Sequence, residues 1–249
     1  MPTARAQIES LLKARKLDVT LTSEMPAGAA APPDAADLAA TGAAAIDAAL
    51  GGGLRRGHLS EIVGGRSSGR TAAVCCALAA AVDRGELVAL VDTNDRFDPE
   101  SAASTGLDLS RLLWIRETGD ATRALKAMNL VLQAGGFGLV VLDLADVPLR
   151  TVRALPFTTW FRLARVIEGS QTVAVLVATE HLARSSGGAT VAMDRRRPTP
   201  DGQNAPTGLQ ERTGSTAPIQ SRARWTGRSD RARLLQGLDT APRVVGARG

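Results

Sequence analysis

Gly64-Gly65-Arg66-Ser67-Ser68-Gly69-Arg70-Thr71 lies between an apolar run, residues 59–63, and an Ala-rich stretch, residues 70–83. The spacing is that of a phosphate loop, G-x-x-x-x-G-[K→R]-T, with arginine in the lysine position. Such a loop needs glycines so that successive backbone N–H groups can turn inward around phosphates. It needs a following helix whose N-terminus favours anions. A lysine serves the β- and γ-phosphates, and a Ser or Thr hydroxyl serves Mg²⁺. The context is the expected one, a strand ending at Val63 and a helix beginning near Arg70. Gly64, Gly69, Arg70 and Thr71 are therefore candidate nucleotide-binding residues. Arg70 keeps the charge, but its guanidinium is a longer, planar fork and not a compact ammonium. Asp143 ends a second apolar run, 137–142, where a Walker B carboxylate would hold Mg²⁺ through water. The plainer alternative is a glycine turn from strand to helix, with Asp143 a polar strand end.

A second motif overlaps the first. Gly65-Arg66-Ser67-Ser68-Gly69 matches G-x-S-x-G, the nucleophile elbow, and Asp143 and His181 follow in the order Ser, Asp, His. A Ser hydrolase built on Ser67 is the least favoured reading. The elbow normally follows several earlier strands, whereas residues 59–63 form the first strand of this pattern.

Working outward, residues 41–194 alternate strand and helix. Strands are expected at 86–92, 112–115, 137–143 and 172–178, and helices at 70–83, 98–106, 121–134 and 153–168. The near-continuous apolar character of 137–142 and 173–178 fits central parallel strands covered on both faces. The fold expected is α/β, a phosphate-loop core with a mostly parallel sheet flanked by helices. Residues 3–17 read as an amphipathic helix, with Ile8, Leu11, Leu12 and Leu17 on one face. The organisation expected is an N-terminal helix at 1–18, a linker at 19–40, a core at 41–194 and a basic, partly disordered tail at 195–249.

Composition narrows the classes. The chain has 249 residues and a net charge of +5. Residues 1–194 hold 19 basic and 21 acidic side chains, and residues 195–249 hold 11 and 4, so the whole positive excess sits in the tail. No apolar run approaches a bilayer span, so no membrane segment is expected. No basic segment with a long apolar core opens the chain, so no secretory signal is expected. The two cysteines, Cys75 and Cys76, are neighbours, which offers no disulfide framework. With only two His, far apart, no metal centre is expected. A cytoplasmic location is the default.

Several stretches together resemble the RecA recombinases. Thr41-Gly42, Ile46-Asp47-Ala48-Ala49-Leu50-Gly51 and Glu61-Ile62-Val63-Gly64 are similar to that family's approach to its ATP site. Ser67-Ser68-Gly69-Arg70-Thr71 resembles its S-S-G-K-T. The segment from Val91 to Pro99, the Walker B strand ending at Asp143, and Gly187-Gly188-Ala189 follow in order. The resemblance implies that the Walker lysine is Arg70, that the Glu orienting the attacking water falls on Asn94, and that the phosphate-sensing Gln falls on Thr179. The loop before Gly187 is shortened. ATP hydrolysis is therefore not expected, no residue is assigned a catalytic role, and ATP with Mg²⁺ would bind weakly or not at all.

This altered core, with a helical N-terminus and an Arg-rich C-terminus, is similar to the ImuA family, RecA-like accessory proteins of bacterial damage-induced mutagenesis. The resemblance implies an adaptor in translesion synthesis that contacts RecA and an ImuB-type, Y-family-like polymerase homologue. The alternatives are a DNA-stimulated ATPase of the RecA family and a SulA-like cell-division inhibitor. Arg222, Arg224, Trp225, Arg228, Arg231 and Arg233 are candidate partner contacts in the tail. Single-stranded DNA is the competing ligand, through phosphate contacts and stacking on Trp225, and a merely solvated tail is the plainer reading. Leu11 and Leu12 would dock the N-terminal helix on a partner or on a second copy in a homo-oligomer.

Overall fold

Strands of Val, Leu and Ala without polar interruption lose their contact with water only when protein covers both faces. The computed structural model describes residues 34–183, 188–193, 222–226, 234–239 and 243–245. The chain begins with β1 (Leu38–Ala39), α1 (Ala44–Leu50) and β2 (Leu54–Arg55). There follow β3 (Leu59–Gly64), α2 (Arg70–Asp83), β4 (Leu87–Asp92), α3 (Pro99–Ser104) and β5 (Leu112–Arg116). Next come α4 (Ala121–Ala134), β6 (Phe137–Asp143), α5 (Leu149–Arg153), α6 (Thr158–Ile167) and β7 (Val173–Ala178). β8 (Thr190–Met193), β9 (Arg222–Thr226), β10 (Leu234–Asp239) and β11 (Arg243–Val245) complete the described elements.

Seven strands form one sheet in the order β11-β8-β3-β7-β6-β4-β5. Six are parallel, and β11 runs antiparallel to β8. The twofold alternation along each strand builds two apolar layers. Val88, Leu90, Val141, Val175 and Val177 pack with Val74 and Leu78 of α2 on one face. Val91, Val140, Leu142 and Leu176 pack with Met128 of α4 and with Trp160, Leu163 and Ile167 of α6 on the other. Helices on both faces of a parallel sheet are the α/β architecture expected. α4 starts at 121 because the Asp120 carboxylate accepts from the Thr122 and Arg123 amides, 2.9 and 3.1 Å.

Three expectations need correction. The helix expected at 153–168 begins later, as α6 at Thr158, and a separate α5 ends at Arg153, because Pro156 lacks an N–H and pushes its predecessor out of helical geometry. The expected linker, 19–40, contains β1, which pairs with β2. The core does not end at 194, since β11 joins the main sheet beside β8, with Val244 opposite Val191. β9 and β10 form an antiparallel hairpin, and β10 lies against α2 and α3. The N-terminal helix with Leu11 and Leu12, and residues 195–221 of the tail, lie outside the described residues.

Candidate nucleotide site

The carboxyl ends of β3, β4, β6 and β7 meet at one edge of the sheet, the edge where open α/β sheets hold ligands. β3 runs into the loop 65–69, and α2 starts at Arg70. Gly69 takes φ +95°, a backbone region that glycine enters without penalty. Gly64 is glycine for a steric reason. A Cβ there would lie 2.4 Å from the Met193 carbonyl and 2.6 Å from the Ser68 hydroxyl. Ser67 holds φ +58° and faces solvent. Thr71 is also exposed.

Arg70 does not reach into open space from this loop. Its side chain is 7% exposed, and Nη1 donates to the Ala178 carbonyl at 2.8 Å, at the end of β7. Burial lowers its pKa, and Asp143 and Asp146 oppose that shift. Asp143 stands opposite Asp92 in the β4–β6 register. Burial pushes its pKa up to about 6, and the like charge of Asp92 adds to this. The Ala145 amide, donating at 2.8 Å, and the charge of Arg70 pull the other way. Asp92 is already committed, accepting from the Arg96 and Phe97 amides at 3.0 and 2.8 Å. Thr93 is wholly buried, and its hydroxyl has no hydrogen-bond partner among the described residues. Asn94 is half-buried beside Gly119, and Thr179 is exposed.

The five residues expected at the site, Gly64, Gly69, Arg70, Thr71 and Asp143, thus share this edge. The guanidinium at the position of the Walker lysine donates to a backbone carbonyl, and the positions that the resemblance gives to a water-orienting carboxylate and a phosphate-sensing amide hold Asn94 and Thr179. Ala178 belongs to no motif in the sequence, and only the fold shows its carbonyl accepting from Arg70.

A Ser–His–Asp line is absent among the described residues. His181 turns away from Ser67, toward Glu61 and Thr190. Glu61 is a buried carboxylate in mid-β3. It accepts from the Leu182 and Ala183 amides at 2.8 and 2.7 Å and from the Thr190 hydroxyl at 3.2 Å. Arg222, Arg224 and Trp225 lie on β9. Their side chains, and Arg228, Arg231 and Arg233 altogether, lie outside the described residues.

A parallel sheet with a glycine loop from its first main strand into a helix defines a phosphate-loop α/β protein. Residues 8–152, more than half of the chain, match the RecA N-terminal domain, and the chain belongs to that family. It is similar to the protein RecA of Arthrobacter sp. (strain FB24), 38% identical over 104 residues, covering 41% of this chain and 29% of that protein. The protein RecA of Chlorobaculum tepidum is 38% identical over 104 residues, 41% of this chain and 30% of its own. The matched stretch spans less than a third of these curated relatives. The solved structure of the RadB recombinase shares the fold, with a TM-score of 0.51 at 20% identity over 66% of this chain and 86% of that one. Among the described residues no helix is long and apolar enough to cross a membrane.

Proposed function

We propose that this protein is an accessory or adaptor protein of translesion synthesis, RecA-like in fold, that does not hydrolyse ATP. In this reading it acts through contacts with RecA and with a Y-family-like polymerase homologue, as the resemblance to the ImuA family implies. The observation that carries the reading is Arg70. An ATPase keeps a mobile ammonium for the β- and γ-phosphates. Here a planar guanidinium is buried and bonded to the Ala178 carbonyl. Asn94 and Thr179 support it, since each replaces a group that hydrolysis uses. The positive excess of residues 195–249 supplies the partner-binding tail.

Nucleotide binding and ATP turnover, measured on the full chain with and without single-stranded DNA, test the proposal. The expected result is background turnover in both conditions. DNA-stimulated turnover that falls when Arg70 or Asp143 is replaced would overturn it in favour of a DNA-stimulated ATPase. Binding of single-stranded DNA that weakens steeply with salt would make the tail a nucleic-acid contact.

A further inference from the structure

β3 is an interior strand of the sheet, yet it carries a carboxylate in its middle. Glu61 is 1% exposed. Taking a carboxylate out of water is costly unless donors and a counter-charge replace the water. The donors come from both ends of the β7–β8 connection. The Leu182 and Ala183 amides donate to Oε1 at 2.8 and 2.7 Å, and the Thr190 hydroxyl donates to Oε2 at 3.2 Å. Among the described residues the one ion-pair partner of Glu61 is His181, whose Nδ1 contacts Oε2. Lysine and arginine take no part.

His181 differs from Glu61 in its access to water. Its side chain is 45% exposed, against 2% for Glu61. It can exchange a proton with solvent, and histidine is the side chain that changes charge between pH 5 and 8. The other charged groups near it are Glu180, its neighbour in the chain, and Arg153 of α5, and these two pair with each other. Trp160 of α6, Leu182 and Thr190 of β8 bring no charge. Glu61 is thus the carboxylate that a protonated His181 answers. Nδ1 can donate to a carboxylate oxygen only when it carries a proton. The imidazolium always carries one there, and the neutral ring does so in one of its two tautomers.

The far end of the connection is held by contacts that do not titrate. The Glu61 amide donates to the Ala189 carbonyl at 2.8 Å, and the Ala189 amide to the Ser60 hydroxyl at 3.2 Å. A change of charge at His181 therefore acts on residues 181–183. Glu180, His181 and Leu182 also line one side of a cleft of about 400 Å³, with Val152 and Trp160 among the residues that complete it.

We propose that Glu61 and His181 form a proton-operated latch. With His181 protonated, the imidazolium pairs with the buried carboxylate and holds residues 181–183 against β3. Loss of that proton to solvent loosens them and with them one wall of the cleft. The latch is a property of the fold and does not depend on the adaptor reading.

Hydrogen exchange of the Leu182 and Ala183 amides, read by NMR on the full chain at pH 6 and pH 8 and corrected for the intrinsic pH dependence of exchange, tests it. The expected result is protection about fivefold or more lower at pH 8, the difference between a charge-assisted and a neutral hydrogen bond. The Glu61 amide, bonded to Ala189, should keep its protection. In His181→Gln, with melting at pH 8 matched to the parent, the two amides should lose this pH dependence. Asp143, whose pKa is about 6, is retained in that variant, so its titration is separated from that of His181. The chain has two histidines, so comparison with the variant assigns the His181 imidazole resonances in the parent. Their titration should run in parallel with the shifts of the two amides. Equal protection at both pH values in the parent, the same fall in His181→Gln, or an imidazole that titrates without moving the two amides would overturn the proposal.

Discussion

Replacing Arg70 by methionine keeps an unbranched apolar stem and removes the charge and donors. In the parent, Nη1 donates to the Ala178 carbonyl at 2.8 Å, with Arg70 7% and Ala178 2% exposed. A hydrogen bond from a charged group contributes about 1.5–3 kcal/mol, and a buried acceptor left short of a partner costs about 1–3 kcal/mol. The cost of desolvating the guanidinium, which lowers its pKa in the parent, disappears in the variant and offsets part of the loss. Asp143 loses its nearest opposing charge, so its pKa rises beyond the parent's value of about 6. The expected net loss is about 1–3 kcal/mol. For a chain of this size that is a fall in Tm of about 2–12 °C. Thermal unfolding followed by circular dichroism at pH 8, where Asp143 is ionised in the parent, measures it. A variant that melts with the parent but loses nucleotide affinity would refute the reasoning, because the guanidinium would then serve a ligand and not the sheet.

Three further outcomes follow from the same contacts. The Asp143 pKa is raised from about 4 when unfolded to about 6 when folded, so this group favours the folded state at low pH and the advantage is lost as pH rises through 6. Asp143→Asn should therefore gain about 1–3 kcal/mol on the parent between pH 4 and 7, and a pH-independent difference in urea midpoints would contradict this. Gly64→Ala should unfold at lower temperature by an overpacking cost of about 1–3 kcal/mol or more, because its Cβ would meet the Met193 carbonyl at 2.4 Å; an unchanged Tm would count against the close approach of β3 and β8. Glu61→Leu removes the acceptor of the Leu182 and Ala183 amides at a cost of about 2–5 kcal/mol. Those two amides should exchange with solvent faster than the rest of the sheet, and unaltered exchange would show that the loop is held elsewhere.

Much of this architecture was written locally. The strand–glycine–helix run at 59–83, the apolar runs of β6 and β7 and the Asp120 cap of α4 are each determined by residues close together in the chain. Elements whose stability comes from distant pairing were not legible. β1 and β2 have two residues each and exist through their pairing with one another. α1 is local but only seven residues long, too short for its periodicity to show, and Asp47 anchors it by accepting from the Thr41 amide at 2.7 Å and the Thr41 hydroxyl at 2.8 Å. β11 lies in an Arg- and Pro-containing stretch whose composition suggests no strand, and it forms only because β8 presents an open edge. The candidate site divides in the same way. Its loop glycines, Arg70 and Asp143 follow from spacing, whereas the Ala178 carbonyl is 108 residues from Arg70 in the chain. Glu61 reads as one polar residue in a buried strand until the 182–183 amides close on it.

The three altered positions belong to separate segments, Arg70 at the start of α2, Asn94 after β4 and Thr179 after β7, and the sheet brings them to one edge. Their effects are physically linked. A cation that remains mobile in a phosphate site must be exchanged among water, phosphate and protein without large cost. A buried guanidinium bonded to the end of β7 is held by the strand that Thr179 continues, so releasing it would leave the Ala178 carbonyl short of a donor at the same sheet edge. In the proposed reading, Asn94 stands where a carboxylate would make a freed site useful for hydrolysis. On that reading, reversion of any one position leaves turnover blocked by the other two. Arg70→Lys alone should remain at background ATP turnover, while the triple change Arg70→Lys, Asn94→Glu and Thr179→Gln is the smallest one expected to raise it. Turnover restored by Arg70→Lys alone would show that the site is a hydrolytic one held back at a single residue.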